Sequence, residues 1–413
     1  MFAPDKGLIP KLRFPEFVDE WEECELKDIA HISKGFGISK DQLSETGKPC
    51  VLYGELYTKY KSEVITEILS KTNIEETHLV YSQRNDVIIP SSGETAIDIS
   101  TARCVPFDNI LLGGDLTIIR LKEQDGRFFS YQLNGVRRLD IAKIAQGVSV
   151  VHLYGDNLKR LKVSFPTIAE QNKISTFLAL VDKRIETQSR AIEKLQSLMS
   201  AIVEMALCKQ VLRFPPFTTS WKKTKLGELG YFIRGLSYDN NLVVDDDSQT
   251  LVVRSNNINS GKEINLDSDV VFVSKSPDDE QILRKDDIVF CMANGSSALV
   301  GKNSYYNGGY NGTITIGVFC GIYRGQSKLT RWILCSSEYQ RAIFNLMQGG
   351  NGAIANLKGN DILNLSFKYP TENEEESKLV SLLSAIDTKI RNEEQLLKYY
   401  QTQKQHLLKQ MFI

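Results

Sequence analysis

The sequence predicts an α+β protein in which two β-rich mixed domains alternate with two long helices in a tandem duplication. Two observations support this fold class. LRFPEFVDEW, which begins at Leu12, recurs as LRFPPFTTSW from Leu212, and a long apolar repeat spaced by threes and fours follows each copy. We therefore expect domains over residues 1–166 and 211–370 and helices over residues 167–210 and 371–413.

Composition excludes several classes of protein. The chain has 413 residues, of which 42% are hydrophobic and 24% charged, as in ordinary globular proteins. A formal net charge of -1 gives no general attraction for polyanions, so any basic patch has to be local. The seven cysteines form no CxxC pair and indicate free thiols of a reducing cytosol. No apolar run is long enough to span a membrane, and we expect a cytoplasmic protein that does not bind membranes.

The duplication extends beyond the opening motif. Arg13 recurs as Arg213, Asp86 in DVII as Asp287 in DIVF, and the LVDKRI segment as AIDTKI; the QG pair before residue 148 recurs before residue 350. We expect Arg13 and Arg213 to pin the start of each copy to its module. Between these anchors the copies diverge, since YGELYTKYKSE stands in one where RSNNINSGKE stands in the other. A common frame with different contents indicates two modules that do the same kind of work on different targets.

Short β-branched and apolar runs bounded by Gly, Asn, Asp and Ser predict the strands of each domain. The clearest runs cover residues 87–89, 116–121, 251–253, 270–273, 288–290 and 313–319, with helices expected near 128–145 and 329–347. Each domain ends in an apolar run that leads into Pro166 or Pro370. Threonine follows each proline and acidic residues follow the threonine, which is typical of a helix start.

The two long helices carry the same apolar seam, so each provides the partner that the other needs. To share this seam they have to lie antiparallel, which predicts a coiled-coil rod with pseudo-twofold symmetry. The residues expected to pair the helices are Ile174, Leu178, Val181, Ile185, Ile192, Leu195, Leu379, Leu383, Ile386, Ile390, Leu397 and Leu407.

The sequence lacks recognisable catalytic or ligand-binding motifs. The Gly35-Phe36-Gly37 run is no dinucleotide fingerprint, and GSSALVGK from Gly295 has the wrong spacing for a phosphate-binding loop. The four histidines have no metal-ligand spacing, so we predict no metal, no cofactor and no catalytic residue. A nuclease would need duplicated carboxylates. Asp86 and Asp287 are the best such pair, but their place before an apolar strand is typical of a turn.

These motifs together resemble the specificity subunit of type I restriction–modification systems, over essentially the whole chain. EQNKISTFLALVDKRI from Glu170 is the most specific piece, and EEESKLVSLLSAIDTKI from Glu374 is its weaker copy. The resemblance implies two target-recognition domains that each read one half of a split, asymmetric site in double-stranded DNA. It also implies a helical ruler that sets the unread spacer and docks two methyltransferase subunits. Restriction subunits would join through them, and these partners would methylate adenine and cleave DNA. Lys404 departs from the pattern by placing a charge in the seam, and we expect the helix to fray there.

Residues that read bases are expected among Arg, Lys, Asn, Gln, Ser, Tyr and His in loops where the copies diverge. The candidates in the first domain are Tyr53, Lys59, Arg84, Ser91, Ser92, Arg103, Ser149 and His152. Those in the second domain are Arg254, Asn256, Asn257, Asn294, Ser296, Asn311, Asn351 and Asn356. Tyr53 and Arg254 fall at equivalent places when the copies are aligned at an offset of 201. The alternative function is a non-enzymatic helical scaffold that joins two protein-binding domains.

Overall fold

A computed structural model describes residues 7–75, 78–267, 269–348 and 355–413. The chain divides into two compact units. The first unit comprises the chain up to Arg190 together with Glu394–Ile413, and the second comprises Ala191–Glu393. Each unit mixes helices with small sheets, so the predicted α+β class is confirmed.

The first unit contains two four-stranded sheets and two short ribbons. Its strands are β1 Glu22–Glu25, β2 Ala30–Lys34, β3 Leu43–Ser44, β4 Lys48–Val51, β5 Ser70–Thr72, β6 Asp86–Pro90, β7 Ser92–Gly93, β8 Arg103–Val105, β9 Leu111–Leu112, β10 Leu116–Leu121, β11 Val151–His152 and β12 Lys162–Phe165. Its helices are α1 Leu26–Ile29, α2 Glu55–Thr58, α3 Ala96–Ile99, α4 Gly126–Asn134, α5 Arg138–Ile144, α6 Gly155–Lys159 and the first part of α7, which runs Ile168–Val203.

One sheet of the first unit has the order β2-β10-β6-β8 and is antiparallel. The other has the order β3-β5-β4-β9, in which β4 and β9 are parallel. The strand β6 is buried on both faces, which explains its unbroken apolar run. Val87 and Ile89 face a core shared with the helices, whereas Ile88 between them joins a second core with residues of β4 and β9.

The second unit repeats this topology strand for strand. Its strands are β13 Lys222–Lys225, β14 Gly230–Arg234, β15 Val243–Val244, β16 Thr250–Val253, β17 Val271–Val273, β18 Ile288–Cys291, β19 Ala293–Asn294, β20 Asn303–Tyr305, β21 Ile314–Ile316, β22 Cys320–Gly325, β23 Ala355–Asn356 and β24 Ser366–Tyr369. Its further helices are α8 Leu226–Leu229, α9 Thr330–Ile333, α10 Ser337–Gln348, α11 Gly359–Leu363 and α12 Asn373–Gln410. The sheet orders are β14-β22-β18-β20 and β15-β17-β16-β21, so the duplication holds at the level of strand pairing.

The long helices α7 and α12 are 36 and 38 residues long. Both begin within three residues after the predicted proline, Pro166 or Pro370. Every residue of the predicted seam is buried or half-buried, although pairing along the full helix length stays a prediction. Within the first unit the two segments are antiparallel, because Asp182 meets Lys404 while Arg184 lies over the ring of Tyr400.

The end of α12 completes the core of the first unit. Leu407, Leu408, Met411 and Phe412 pack in the same cluster as Trp21 from the opposite end of the chain. The rings of Phe412 and Trp21 lie 6.3 Å apart, edge to face. The first unit is therefore built from both ends of the sequence.

The predicted fraying at Lys404 is wrong. The helix continues to Gln410, and the Lys404 side chain is only 9% exposed. Its ammonium group contacts Glu63 and lies 2.5 Å from Asp182. Burial, which lowers the pKa of Lys404, is outweighed by these two carboxylates, so its pKa is raised. Burial, and then repulsion from Glu63, raises the pKa of Asp182, whose carboxylate also accepts the Tyr131 hydroxyl at 2.7 Å.

Each copy of the opening motif is tied to the start of the following long helix. Arg13 donates from two guanidinium nitrogens to Glu170, both at 2.8 Å. Arg213 does the same to Glu375 at 2.7 Å. Both carboxylates are 1% exposed. The expectation that these arginines pin the start of each copy to its module is confirmed.

Candidate nucleic-acid interface

Several of the predicted first-domain residues converge on the ribbon formed by β7 and β11. Ser92 and His152 lie directly opposite each other in this ribbon. The backbone groups of Gln146 and His152 exchange hydrogen bonds of 2.9 and 2.7 Å, which close a loop that carries the exposed Ser149. We call β7, β11 and residues 146–150 the first ribbon.

The first ribbon is attached to β10 through Ser91, and two aromatic rings, those of His152 and Tyr154, stack at its edge. Ser91 is buried, and its hydroxyl forms a 2.7 Å hydrogen bond with the hydroxyl of Thr117 on β10. The His152 ring stacks on Tyr154 with centroids 6.1 Å apart. Ser91 therefore supports the ribbon, and Ser92 is buried as well, while Ser149 and His152 are exposed at its edge.

Sequence reasoning missed three residues beside the first ribbon. They are Tyr57, whose hydroxyl faces Gly93, together with Tyr154 and Val148, which is 96% exposed. The sequence does contain a signal for Val148, because it is an apolar residue directly after the QG pair, where a polar loop residue is expected. Burial raises the pKa of Tyr57, which stays a neutral hydrogen-bond donor at neutral pH.

The other first-domain candidates lie elsewhere. Arg103 is 7% exposed and donates to the carbonyls of Leu56 and Tyr60 at 3.0 and 2.9 Å, so its guanidinium is committed to the interior. Lys59 donates to Glu55 at 2.6 Å. Tyr53 packs half-buried on the second core, and Arg84 is exposed near Asp108. We leave all four, Tyr53, Lys59, Arg84 and Arg103, out of the interface proposed below.

The second unit builds an equivalent ribbon with different side chains. The strands β19 and β23 pair so that Ala293 lies opposite Asn356, where the first unit has Ser92 opposite His152. The side-chain nitrogen of Asn294 lies 3.4 Å from the Ser255 hydroxyl, and its oxygen accepts the Ser296 amide at 3.0 Å. We call β19, β23 and the turn Ser255–Asn257 the second ribbon, with Asn256, Ser296 and Asn356 exposed on it.

The remaining second-domain candidates have varied settings. Asn257 is 1% exposed and caps the turn by accepting the Arg254 amide at 2.8 Å. The Arg254 guanidinium donates to the carbonyl of Asp269 at 2.9 Å. Asn311 is exposed on a loop, and Asn351 lies outside the described residues. Asn257 is therefore a structural cap.

The predicted equivalence of Tyr53 and Arg254 is off by one residue. The Val51 carbonyl accepts the Gly113 amide in the first unit, and the Val253 carbonyl accepts the Gly317 amide in the second. These parallel-strand bonds align Val51 with Val253, so Tyr53 corresponds to Ser255 and Leu52 to Arg254. The sequence alignment lacked this register because the two loops share no residue that would fix it.

The carboxylates considered for a nuclease have structural partners. Asp86 pairs with Arg120 and accepts the Gln83 amide at 2.8 Å. Asp287 pairs with Arg324 in the same geometry and accepts a turn amide at 2.7 Å. Asp86 is the first residue of β6 and Asp287 directly precedes β18, and each carboxylate caps the turn before its strand, as the sequence predicted.

Within residues 7–75, 78–267, 269–348 and 355–413, no group of three or more His, Cys, Asp or Glu side chains could hold a metal ion. None of the helices in this part of the chain is both long and apolar enough to cross a bilayer.

Comparison with known proteins finds a matching domain model and two similar proteins. The sequence model for the type I restriction modification DNA specificity domain matches residues 18–197. Over 194 residues the chain is 29% identical to the EcoKI specificity subunit of Escherichia coli (strain K12) and 29% identical to the StySPI specificity subunit of Salmonella potsdam. Each alignment spans 44% of this chain but only 40% of the relative.

The fold similarity extends over the whole chain. The type I restriction–modification S subunit from M. genitalium superposes with a TM-score of 0.63 at 16% identity, covering 98% of this chain and 99% of that one. A structure described for complex assembly and conformational transition of the type I R-M system gives a TM-score of 0.52 at 14% identity, covering 95% and 97%. Residues 18–197 therefore match a type I restriction modification DNA specificity domain, and the fold of nearly the whole chain resembles that of the S subunit from M. genitalium.

Proposed function

We propose that this chain is the DNA-recognition subunit of a type I restriction–modification complex and reads a bipartite, asymmetric site. The observation that carries the proposal is the pair of ribbons. They occupy the same position in the same topology, but they present different side chains. A repeated frame whose two ribbons carry different side chains fits two readers of two different half-sites.

The side chains at each edge suit contacts to base edges. The first ribbon offers the imidazole of His152 and the hydroxyl of Ser149. The second offers the amides of Asn294 and Asn356 and the hydroxyl of Ser296. Asparagine can pair in bidentate fashion with adenine, and serine can donate to or accept from several bases. A two-stranded ribbon is also narrow enough to enter a major groove. The different donor sets predict a site that is not palindromic.

The long helices would set the distance between the half-sites and dock two methyltransferase subunits, with restriction subunits joining through them. In this proposal the chain itself is not catalytic and needs no cofactor, because adenine methylation and ATP-dependent cleavage belong to the partners. The formal net charge of -1 fits a subunit that binds DNA weakly alone. The partners would then enclose the duplex and supply further phosphate contacts.

The test is a map of modified bases in DNA from cells that express this chain together with a type I methyltransferase subunit. We expect a split, asymmetric motif with one modified adenine on each strand. Cells that express the methyltransferase subunit alone provide the control and should lack the motif. If no new motif forms although the complex assembles, the function is wrong and the scaffold alternative gains support.

A second measurement assigns the half-sites to the ribbons. His152→Ala should relax the motif in one half only, and Asn356→Ala should relax it in the other half only. Each good base contact is worth about 1–3 kcal/mol of discrimination. Lys59→Ala, which removes a cation already paired with Glu55, is the matched control and should leave both halves unchanged.

A further inference from the structure

An open cleft of about 630 Å³ in the first unit lies beside the first ribbon. It is formed by α5, α6 and the start of β12. The residues that line it are Arg137, Asp140, Lys143, Ile144, Gln146, Asn157, Arg160, Leu161 and Lys162. Four of these side chains are cationic and one is anionic, which is an unusual local excess in a chain whose formal net charge is -1.

The cationic groups are only partly neutralised within the protein. Asp140 lies between Arg137 and Lys143, at 3.6 and 3.4 Å, and so serves two cations at once. Lys162 is 70% exposed and pairs with Glu23 at 3.1 Å. Arg160 is exposed and forms no ion pair with the described residues, and the buried Nε of Arg137 has no hydrogen-bond partner among them. The cleft therefore presents positive charge to solvent.

The cleft and the first ribbon are continuous. Gln146 lines the cleft, and its backbone is paired with that of His152 in the first ribbon. The Asn157 side chain donates to the Ile144 carbonyl at 3.1 Å and so ties α6 to the end of α5. The cleft and the first ribbon therefore share Gln146.

The second unit distributes its charge differently around the equivalent positions. Its strand β13 carries Lys222, Lys223 and Lys225 where β1 carries Glu22, Glu23 and Glu25. The Leu26 amide donates to the Leu161 carbonyl, and the Leu226 amide donates to the Leu365 carbonyl, both at 2.9 Å. This shared bond aligns Arg160 with Asn364 and Lys162 with Ser366. Two cations of the first unit are therefore replaced by neutral residues in the second unit.

We propose that this cleft holds the phosphodiester backbone of the DNA whose bases lie on the first ribbon, and so adds an ionic contribution to the binding of the first half-site. The inference rests on the proposed function. The lining contains no aromatic ring on which a free nucleotide could stack its base, and its flexible exposed lysines suit a chain of phosphates. Contacts of this kind position the duplex and carry no direct sequence information.

The test replaces the two cations with their second-unit counterparts in one variant, R160N/K162S. The full chain is assembled with its methyltransferase subunit, and binding to a duplex that carries the methylated motif is followed by fluorescence anisotropy between about 50 and 200 mM salt. We expect the slope of log K against log salt to become shallower by about 1.8, or about 0.9 for each lost contact. The methylated motif should stay the same.

Lys159 supplies a matched control on the same helix, because it is cationic but pairs with Asp156 and does not line the cleft. Lys159→Asn should keep the wild-type slope. Lys143→Asn is a second test within the cleft and should reduce the slope by about 0.9. Circular dichroism of each variant establishes that the chain is folded.

Three outcomes would overturn the inference. A wild-type slope for R160N/K162S, with normal preference for the motif, would refute the cleft but leave the proposed function intact. A change in the methylated motif would mean that the cleft contacts bases, which also refutes it. Wild-type complex that shows no preference for any sequence would refute the proposed function itself.

Discussion

The buried cation Lys404 gives the sharpest test of how the chain is held together. In the first repeat the corresponding residue is Met199, which packs among the apolar residues of the second unit. Lys404→Met therefore introduces the side chain that occupies the corresponding position of the first repeat. It leaves Glu63 and Asp182 buried without their cation, since their side chains are 8% and 10% exposed.

The burial of these two carboxylates determines how much Lys404→Met should lower the free energy of unfolding. Removing one partner of a buried ion pair typically costs about 3–5 kcal/mol, because the remaining charge is uncompensated. Two carboxylates lose their partner here, and only Asp182 keeps a strong donor, the Tyr131 hydroxyl at 2.7 Å. The triple variant K404M/E63Q/D182N removes the charges as well and should recover most of the loss. Lys409→Met, at an exposed position on the same helix, should change stability by less than about 0.5 kcal/mol.

The pH dependence has a defined sign. Lys404 has a raised pKa, so its contribution is fully present below the unfolded value of about 10.5 and is lost as pH rises through the folded value. Burial already raises the pKa of Asp182, and loss of the cation should raise it further. Protonation of Asp182 then favours the folded variant. The stability gap between wild type and K404M should therefore narrow as pH falls from about 8 toward 5.

Native-state hydrogen exchange measures the effect unit by unit. In K404M the core amides of the first unit should lose roughly 10² to 10³-fold or more of their protection, from about 1.36 kcal/mol per tenfold change. Amides of the second unit should keep theirs. Two results would refute the buried contact of Lys404 with Glu63 and Asp182 and would support a frayed helix end. One is unchanged protection of the first unit in K404M, and the other is a stability difference between wild type and K404M that widens at low pH.

Three further changes test the remaining architecture. In urea unfolding, Trp221→Phe should lower the free energy of unfolding by about 1.5–3 kcal/mol more than Trp21→Phe does. Of the two indoles, only that of Trp221 donates to a buried carboxylate, that of Glu375 at 3.0 Å. Equal losses in the two variants would contradict this. Leu195→Asp should lower the unfolding midpoint and weaken methyltransferase docking, whereas Leu198→Asp, 49% exposed, should not; unaltered stability in both would refute the seam. A seven-residue insertion in both long helices adds about 10 Å to each helix. It should lengthen the unread spacer in the modified-base map by about three base pairs. An unchanged spacer would refute the proposal that the helices set the spacer length.

Local periodicity explains why much of the fold could be predicted. The run 116–121 became β10 with the same limits, and each of the other five predicted runs overlaps a strand. Both long helices begin after the proline and threonine that predicted their start. These signals are short in range, so they survive in the sequence of a single chain. The expected helices near 128–145 and 329–347 each divided into two shorter ones, because tertiary packing sets such breaks.

Lys404 shows what sequence reasoning could not supply. A lysine in an apolar seam is ambiguous until its partners are known, and Glu63 lies 341 positions away in the chain. Pairing at that distance depends on the tertiary fold, for which the local pattern contains no signal.

The candidate site was only partly predictable for the same reason. Divergence between the copies and polar side-chain chemistry selected Ser92, Ser149 and His152, which lie in one ribbon, with Ser149 and His152 exposed and Ser92 buried. The same criteria also selected Arg103 and Asn257, whose polar groups satisfy buried backbone atoms. Whether such a residue can contact DNA or satisfies buried backbone atoms depends on its solvent exposure, and tertiary packing determines that exposure. The cleft beside the first ribbon combines α5, α6 and β12 and has no contiguous motif.

The central claim is that each unit reads its own half of the DNA site. The most direct measurement is a modified-base map of a chain in which the first unit is exchanged for that of a specificity subunit with a known, different site. Because the first unit includes the end of α12, residues 1–190 and 394–413 should be exchanged together. We predict that one half-site changes to that of the donor while the other half-site is retained. A change in both half-sites, or in neither with the complex assembled, would contradict the claim.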